Sequence, residues 1–272
     1  MTALLLACGG AVIGFLLAVL GAGGSILLLP LLVTGAGMAT RDAVPVSLLV
    51  VILLALANLG PVLRRRQVAI PPALLLGLPA LVGAWAGGSL VKADAIPPSV
   101  QLMVFALSAA VAAVLMVRPL PRPRPSVQAM APRCSPRKQA LALGVQGFLV
   151  GLLTGIAGVG GGFAIVPALA LLAGLSMPLA TGTSLVLIVL NSAMALLALG
   201  RWPSDAISHL PPLLVGGAVG VMLGQALAPS LKERHLRRGF AYLLVGSAFL
   251  TGWEAAQQPF KQPEHRAALK LP

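Results

Sequence analysis

The stretch AVPVSLLVVILLALANLGPVL, residues 43–63, contains no charged side chain. A helix needs about 20 predominantly apolar residues to cross a hydrocarbon core of about 30 Å, and this run has that length. It does not stand alone. Residues 71–91, 98–117, 179–199, 210–228 and 238–253 are almost as free of charge. Across the 272 residues, apolar side chains make up 58% and charged ones only 9%, where a soluble domain carries about 25% charged residues. Too few charges are present to cover a water-facing surface. The expected fold class is therefore an all-α polytopic membrane protein with the lipid bilayer as its solvent.

The formal net charge of +13 does not point to nucleic acid. Lys and Arg sit in short segments between apolar runs, as topology signals do, and aromatic residues are only 4% of the chain. No basic groove interleaved with aromatics is visible. Cys8 and Cys134 have neither metal-ligand spacing nor a plausible pairing, since one lies in an apolar run and the other in a Pro/Arg-rich segment. Leu5-Leu6-Ala7-Cys8 imitates a lipoprotein cleavage box, but no basic segment and few apolar residues precede it.

Outward from the spans, residues 118–138 break the apolar pattern with Arg118-Pro119-Leu120-Pro121-Arg122-Pro123-Arg124-Pro125 and Pro132-Arg133-Cys134-Ser135-Pro136-Arg137-Lys138. Proline at this density opposes helix, so the segment reads as a cytoplasmic linker between a first membrane unit, 1–117, and a second, 139–253. A polar tail, 254–272, follows. The two units resemble each other. With Gly21 set on Gly158, ten of the 28 positions from Gly21 to Leu48 are identical to those from Gly158 to Leu185, against about three expected by chance in so biased a composition. Two homologous halves of about four spans each are expected.

Each half opens with an apolar stretch cut by glycine: Gly21-Ala22-Gly23-Gly24-Ser25 in the first, Gly158-Val159-Gly160-Gly161-Gly162 in the second. The piece after each cut is about twelve residues, roughly 18 Å of helix and too short to span. A broken or re-entrant helix is the expectation. Such breaks occur at membrane depth only where protein or a polar cavity covers the backbone. If each broken stretch crosses once, the chain makes eight crossings and the halves are parallel. If each crosses twice, there are ten and the halves are inverted. Both schemes leave 13 of the 19 basic residues in the cytoplasm, Arg64-Arg65-Arg66 and the linker included, so charge does not choose.

No catalytic constellation is present in the sequence. Asp42, Asp94, Asp205, Glu233, Glu254 and Glu264 lie in loops, at span ends or in the tail, as do His209, His235 and His265. An enzyme is not expected, nor a cofactor or metal. The scattered glycines Gly83, Gly87, Gly88, Gly216, Gly217, Gly220 and Gly224 read as helix-packing positions. The clustered ones support another use: a glycine turn presents backbone N–H groups, and the half-helix after it points a positive dipole end inward, which suits a small anion. Ser47 and its counterpart run Thr181-Gly182-Thr183-Ser184 offer hydroxyl donors nearby in sequence. Asn58 and Asn191 are the amides of their apolar runs and demand polar partners.

The order Gly158-Val159-Gly160-Gly161-Gly162-Phe163-Ala164-Ile165-Val166-Pro167 and then Gly182-Thr183-Ser184 resembles the TauE/SafE sulfite exporter family. The first half carries a degraded copy in Gly21-Ala22-Gly23-Gly24-Ser25, Pro30 and Pro45-Val46-Ser47. The resemblance covers essentially the whole chain. It implies a multi-pass protein of the bacterial inner membrane that exports sulfite, a sulfonate or a related small anion. The substrate-binding candidates are Gly21, Gly23, Gly24, Ser25, Ser47, Gly158, Gly160, Gly161, Gly162, Thr183, Ser184 and Asn191, expected to meet near the membrane centre. A membrane scaffold or a passive anion channel, with glycines serving packing alone, is the competing reading.

Overall fold

In a computed structural model of the chain, the described residues are 2–21, 23–93, 95–117, 136–157, 162–200, 210–228, 238–239 and 241–249. Among them there is no strand. In chain order the helices are α1 (Thr2–Leu20), α2 (Gly23–Pro30), a π-helical turn (Leu31–Gly35), α3 (Thr40–Arg64), α4 (Ile70–Lys92), α5 (Pro98–Val117), α6 (Pro136–Ala157), α7 (Gly162–Leu171), α8 (Met177–Leu199) and α9 (Leu210–Leu227). Residues 241–249 are also helical. Among the described residues, five helices are long and apolar enough to cross a membrane: α3, α4, Ala140–Ala157 of α6, α8 and α9. The chain is an all-helical, multi-pass membrane protein. Helix α6 already begins at Pro136, inside the stretch expected as linker, whose residues 118–135 lie outside the described residues, as does the tail 254–272.

Lipid tails are as apolar as leucine, so helices in a bilayer associate by close packing rather than by the hydrophobic effect. Two helix pairs take this to its limit. Helix α1 packs along α9, and α4 along α6, in both cases backbone against backbone. A Cβ built on Gly14 would lie 2.0 Å from the Gly217 carbonyl oxygen, and one on Gly220 would lie 1.9 Å from that of Ala11. In the other pair, Gly151 faces Ala80 at 1.9 Å and Gly83 faces Phe148 at 2.1 Å by the same measure. No side chain fits in these seams. Because the fourth residue along one helix meets the fourth along the other, the partners of each pair run in the same sense.

Further contacts orient the rest. Leu54 of α3 lies at Gly217 and Asn58 at Leu17, so α1, α3 and α9 share one direction. Leu187 lies at Gly77 and Ala195 at Gly88, so α4, α6 and α8 share one direction. Gly182, near the start of α8, rests on the Gln67 carbonyl just past the end of α3, which makes the two groups opposite in sense. Helix α2 then runs back along α1: Gly24 meets the Ile13 carbonyl, Leu31 meets Gly9, and Gly35 meets Leu5. The segment from Gly21 to Gly35 is thus the return arm of a hairpin, and α1 and α3 enter from the same side. Pro30 lacks an N–H, and the chain beyond it closes a π-helical turn, with the Ala36 N–H donating to the Leu31 carbonyl at 3.0 Å.

The glycine seams make a sharp contrast with Gly60 of α3, which has nothing within 4 Å of the place where a Cβ would stand. Gly220→Leu is expected to cost well above the about 1–3 kcal/mol typical of overpacking and to abolish monodisperse protein in detergent. Gly60→Ala is expected to raise the melting temperature by the value of about 0.5–1 kcal/mol. Size-exclusion profiles and thermal unfolding of the two variants check both outcomes.

Candidate functional site

Gly21 ends α1 in the left-handed region, at φ +74°. A side chain there would be strained, and it would also meet Thr181 Cβ at 2.5 Å. The turn is therefore glycine for two separate reasons. Its N–H donates to the Leu17 carbonyl at 2.9 Å. That same carbonyl accepts from Asn58 Nδ2 at 3.2 Å, and Asn58 Oδ1 accepts from Gln225 Nε2 at 2.8 Å. A polar chain from α9 through α3 thus holds the end of α1. On the far side of the turn, Ser184 Oγ donates to the Thr181 carbonyl at 2.7 Å, with the Gly21 carbonyl at 3.4 Å.

The neighbouring hydroxyl, Thr183 Oγ1, accepts from the Ala69 N–H at 2.9 Å. This bond seats the α3–α4 loop, and so the exposed Arg64-Arg65-Arg66 that opens it, over the start of α8. Thr183 and Ser184 are fully buried. The structure therefore brings together Gly21, Thr183 and Ser184 at the end of the bundle that carries the three arginines. Thr181 lies only one turn into the 23-residue α8, so this turn is near that end rather than at the middle of the bundle where the sequence reading placed it.

The other candidates separate. Gly24 is occupied by packing, since a Cβ there would lie 2.1 Å from the Ile13 carbonyl oxygen. Gly23 begins α2, and Ser25, two residues on, is fully buried. Ser47, fully buried, donates to the Val44 carbonyl at 2.9 Å. It stands early in α3, about 25 Å by helical rise from Arg64, and so at the opposite end from Ser184. Gly158, Gly160 and Gly161 lie outside the described residues, and Gly162 opens α7. Because α6 ends beside Gly87, far along α4, the start of α7 follows from the end of the bundle away from the arginines.

Asn191 is fully buried, with both amide atoms unpartnered, and so is its neighbour Ser192, whose hydroxyl also lacks a partner. Sequence reasoning named Asn191 but passed over Ser192, although a serine beside the amide in an otherwise apolar run was a signal. It also passed over Gln225, an amide in the apolar run 210–228. Among the described residues, no group of three or more His, Cys, Asp and Glu is placed to hold a metal ion.

The model of the family described as sulfite exporter TauE/SafE matches residues 6–251. A protein of Xylella fastidiosa strain Temecula1 described as "Probable membrane transporter protein" is 31% identical over 253 residues, which is 90% of this chain and 93% of that protein. A protein of strain 9a5c with the same description is 30% identical over the same shares. No solved structure matches the chain.

The Asn58–Gln225 pair is open to a double-mutant cycle. Asn58→Leu is expected to cost about 1–3 kcal/mol, because it strands the Gln225 amide as well as removing its own bond. Gln225→Leu on top of it should cost less than it does alone. Thermal unfolding of the four proteins measures the coupling, and simple additivity would show that the pair does not hold the end of α1.

Proposed function

The chain belongs to the sulfite exporter TauE/SafE family, and on that premise we propose that it is a secondary transporter exporting a small organosulfur or sulfur oxyanion, such as sulfite or a sulfonate. The observation that carries this reading is the buried cluster of Thr183, Ser184 and the Gly21 turn beneath the Arg64-Arg65-Arg66 loop. Hydroxyls and backbone N–H groups donate to an oxyanion without binding it through a formal charge. A neutral donor set holds a compact anion and still lets it leave, which a transporter requires. The proposed donors at this end are the hydroxyls of Ser25, Thr183 and Ser184, which can exchange their present partners for an anion, with Gly21 and Gly23 lining the site and Asn191 further along α8; Gly24 is closed off by its packing on the Ile13 carbonyl.

The halves are proposed as inverted repeats. Helices α3 and α8, which the register of the two copies makes equivalent, run in opposite senses, and the pairs α1–α9 and α4–α6 are the same pairing with the halves exchanged. Inversion puts Gly162, at the start of α7, with Ser47 toward the outer face, and the Gly21 turn with Ser184 toward the cytoplasmic face. Each set then borders one entrance of an alternating-access path. The positive-inside rule puts the Arg64-Arg65-Arg66 end in the cytoplasm, where an exported anion is loaded.

Flux from proteoliposomes loaded with sulfite or sulfoacetate tests the reading. Ser184→Ala is expected to keep the protein folded and to weaken apparent affinity by the worth of one hydrogen bond to a charged group, about 1.5–3 kcal/mol. Absence of flux for every sulfur anion in the wild type would sink the substrate class. Unchanged affinity in Ser184→Ala would remove this residue from the path.

Coupling follows from the same residues. Asp42 sits exposed in the first turn of α3, where a carboxylate complements the helix dipole. A structural role for it predicts that Asp42→Asn retains most transport. An interior-negative potential drives anions outward, so imposing one is expected to accelerate export. Loss of all pH-driven transport in Asp42→Asn, with binding intact, would make this carboxylate the coupling group instead.

A further inference from the structure

We propose that Asn191 and Ser192 form a second anion-binding station at the middle of α8, separate from the Gly21–Ser184 turn. The inference rests on the transport reading above and assigns that path an internal stop. Three polar atoms carry it: Asn191 Nδ2, Asn191 Oδ1 and Ser192 Oγ are buried and have no hydrogen-bond partner. Both residues have zero solvent exposure. Beyond the first turn of α3, every other buried serine, threonine or asparagine of α3 and α8 has a carbonyl or N–H beside it: Ser47, Asn58, Thr183 and Ser184 all do. The serine at 192 could have turned its hydroxyl onto its own helix, as Ser47, Ser89, Ser108 and Thr154 do. It does not, so its proton is left for something else.

An unpaired amide in a membrane interior is costly, and leucine offers the same branched skeleton of four heavy atoms without it. The cost is accounted for if the groups serve a guest that comes and goes. Their chemistry defines that guest. An amide NH2 and a hydroxyl give up to three protons with no positive charge, a set from which a small oxyanion can accept, while Asn191 Oδ1 beside them can accept the proton of an oxyanion that carries one.

Position agrees. Asn191 lies seven residues beyond Ser184, about 10 Å along the helix, and within one turn of the midpoint of α8. On the helix face toward α4, Leu187 meets Gly77 and Ala195 meets Gly88, which brackets Asn191 at the level of the buried, small Ala80 and Ala84. Depth and small neighbours make this the central stop that the glycine turn, placed near one end, is not.

Substituted-cysteine chemistry tests the station without assuming the substrate. In a Cys8→Ser, Cys134→Ser background, Ser192→Cys in proteoliposomes is treated with the anionic thiol reagent 2-sulfonatoethyl methanethiosulfonate from each face. Modification is expected, and sulfoacetate at about ten times its Kd should slow it roughly tenfold. Leu197→Cys, on the exposed lipid-facing side of the same helix, should stay unmodified. Asn191→Leu should leave the melting temperature unchanged or raised while abolishing stabilisation by sulfoacetate, whereas a merely structural amide would leave that stabilisation intact. An inert cysteine at 192, or one modified but protected by no anion, overturns the station. Protection by nitrate or phosphate but by no sulfur anion keeps the station and overturns the substrate class proposed above. If Ser192→Cys does not purify folded, Asn191→Cys carries the same test with the same outcomes.

Discussion

The structure hangs on two seams in which main chain meets main chain, α1 against α9 and α4 against α6. In water, helices can be driven together by burying almost any apolar surface. In lipid that gain vanishes, and the dispersion energy of close contact has to do the work. Glycine is the residue that allows contact at this distance, and its spacing of four sets which faces meet. Each seam joins a helix that precedes the Pro/Arg-rich segment in sequence to one that follows it, α1 to α9 and α4 to α6.

With the outer pairs locked this way, α3 and α8 become the inner elements. Two-thirds of the membrane-length window of α8 is buried, more than for any other candidate span, and the polar residues concentrate there accordingly. A hydroxyl or amide facing lipid would have no partner, while one facing the interior can reach a freed carbonyl, a loop N–H or a guest. The hairpin of α1 and α2 supplies such freed groups at Gly21, and the loop after α3 supplies the Ala69 N–H. These two connections therefore converge on the first two turns of α8.

Much of this was legible in the residues. Charge-free runs of twenty residues leave no alternative to membrane-spanning helices, and Gly216, Gly217, Gly220 and Gly224 read as packing positions, although which helix they meet was not legible. The direction of the second short helix was not legible, because charge counts were equal for eight and ten crossings; only the contacts of Gly24, Leu31 and Gly35 with α1 show that it returns. The depth of the Gly21 turn was missed for a related reason. A glycine break seen in sequence reads as a mid-membrane feature, but when the following piece folds back, the break becomes the tip of a hairpin. Gly24 shows the remaining limit: a glycine facing an anion and one facing a carbonyl 2.1 Å from its missing Cβ look the same in a sequence.

The distribution of charge makes a coherent physical case on the proposed function. Arg41, Arg64, Arg65, Arg66, Lys92 and Arg238 are exposed, and no Lys or Arg is buried among the described residues, which divides attraction from binding. Exposed arginines raise the local concentration of anions at the entrance, over a range of about a Debye length. A buried lysine or arginine on the path would hold the ion far more tightly, since Coulomb energy grows as the effective dielectric falls, and release would become the slow step. Neutral donors avoid that trap. On the transport reading proposed above, Thr183, Ser184, Asn191 and Ser192 would supply orientation by hydrogen bonds that can be exchanged one at a time, so that an anion drawn in by charge passes through a site that carries none.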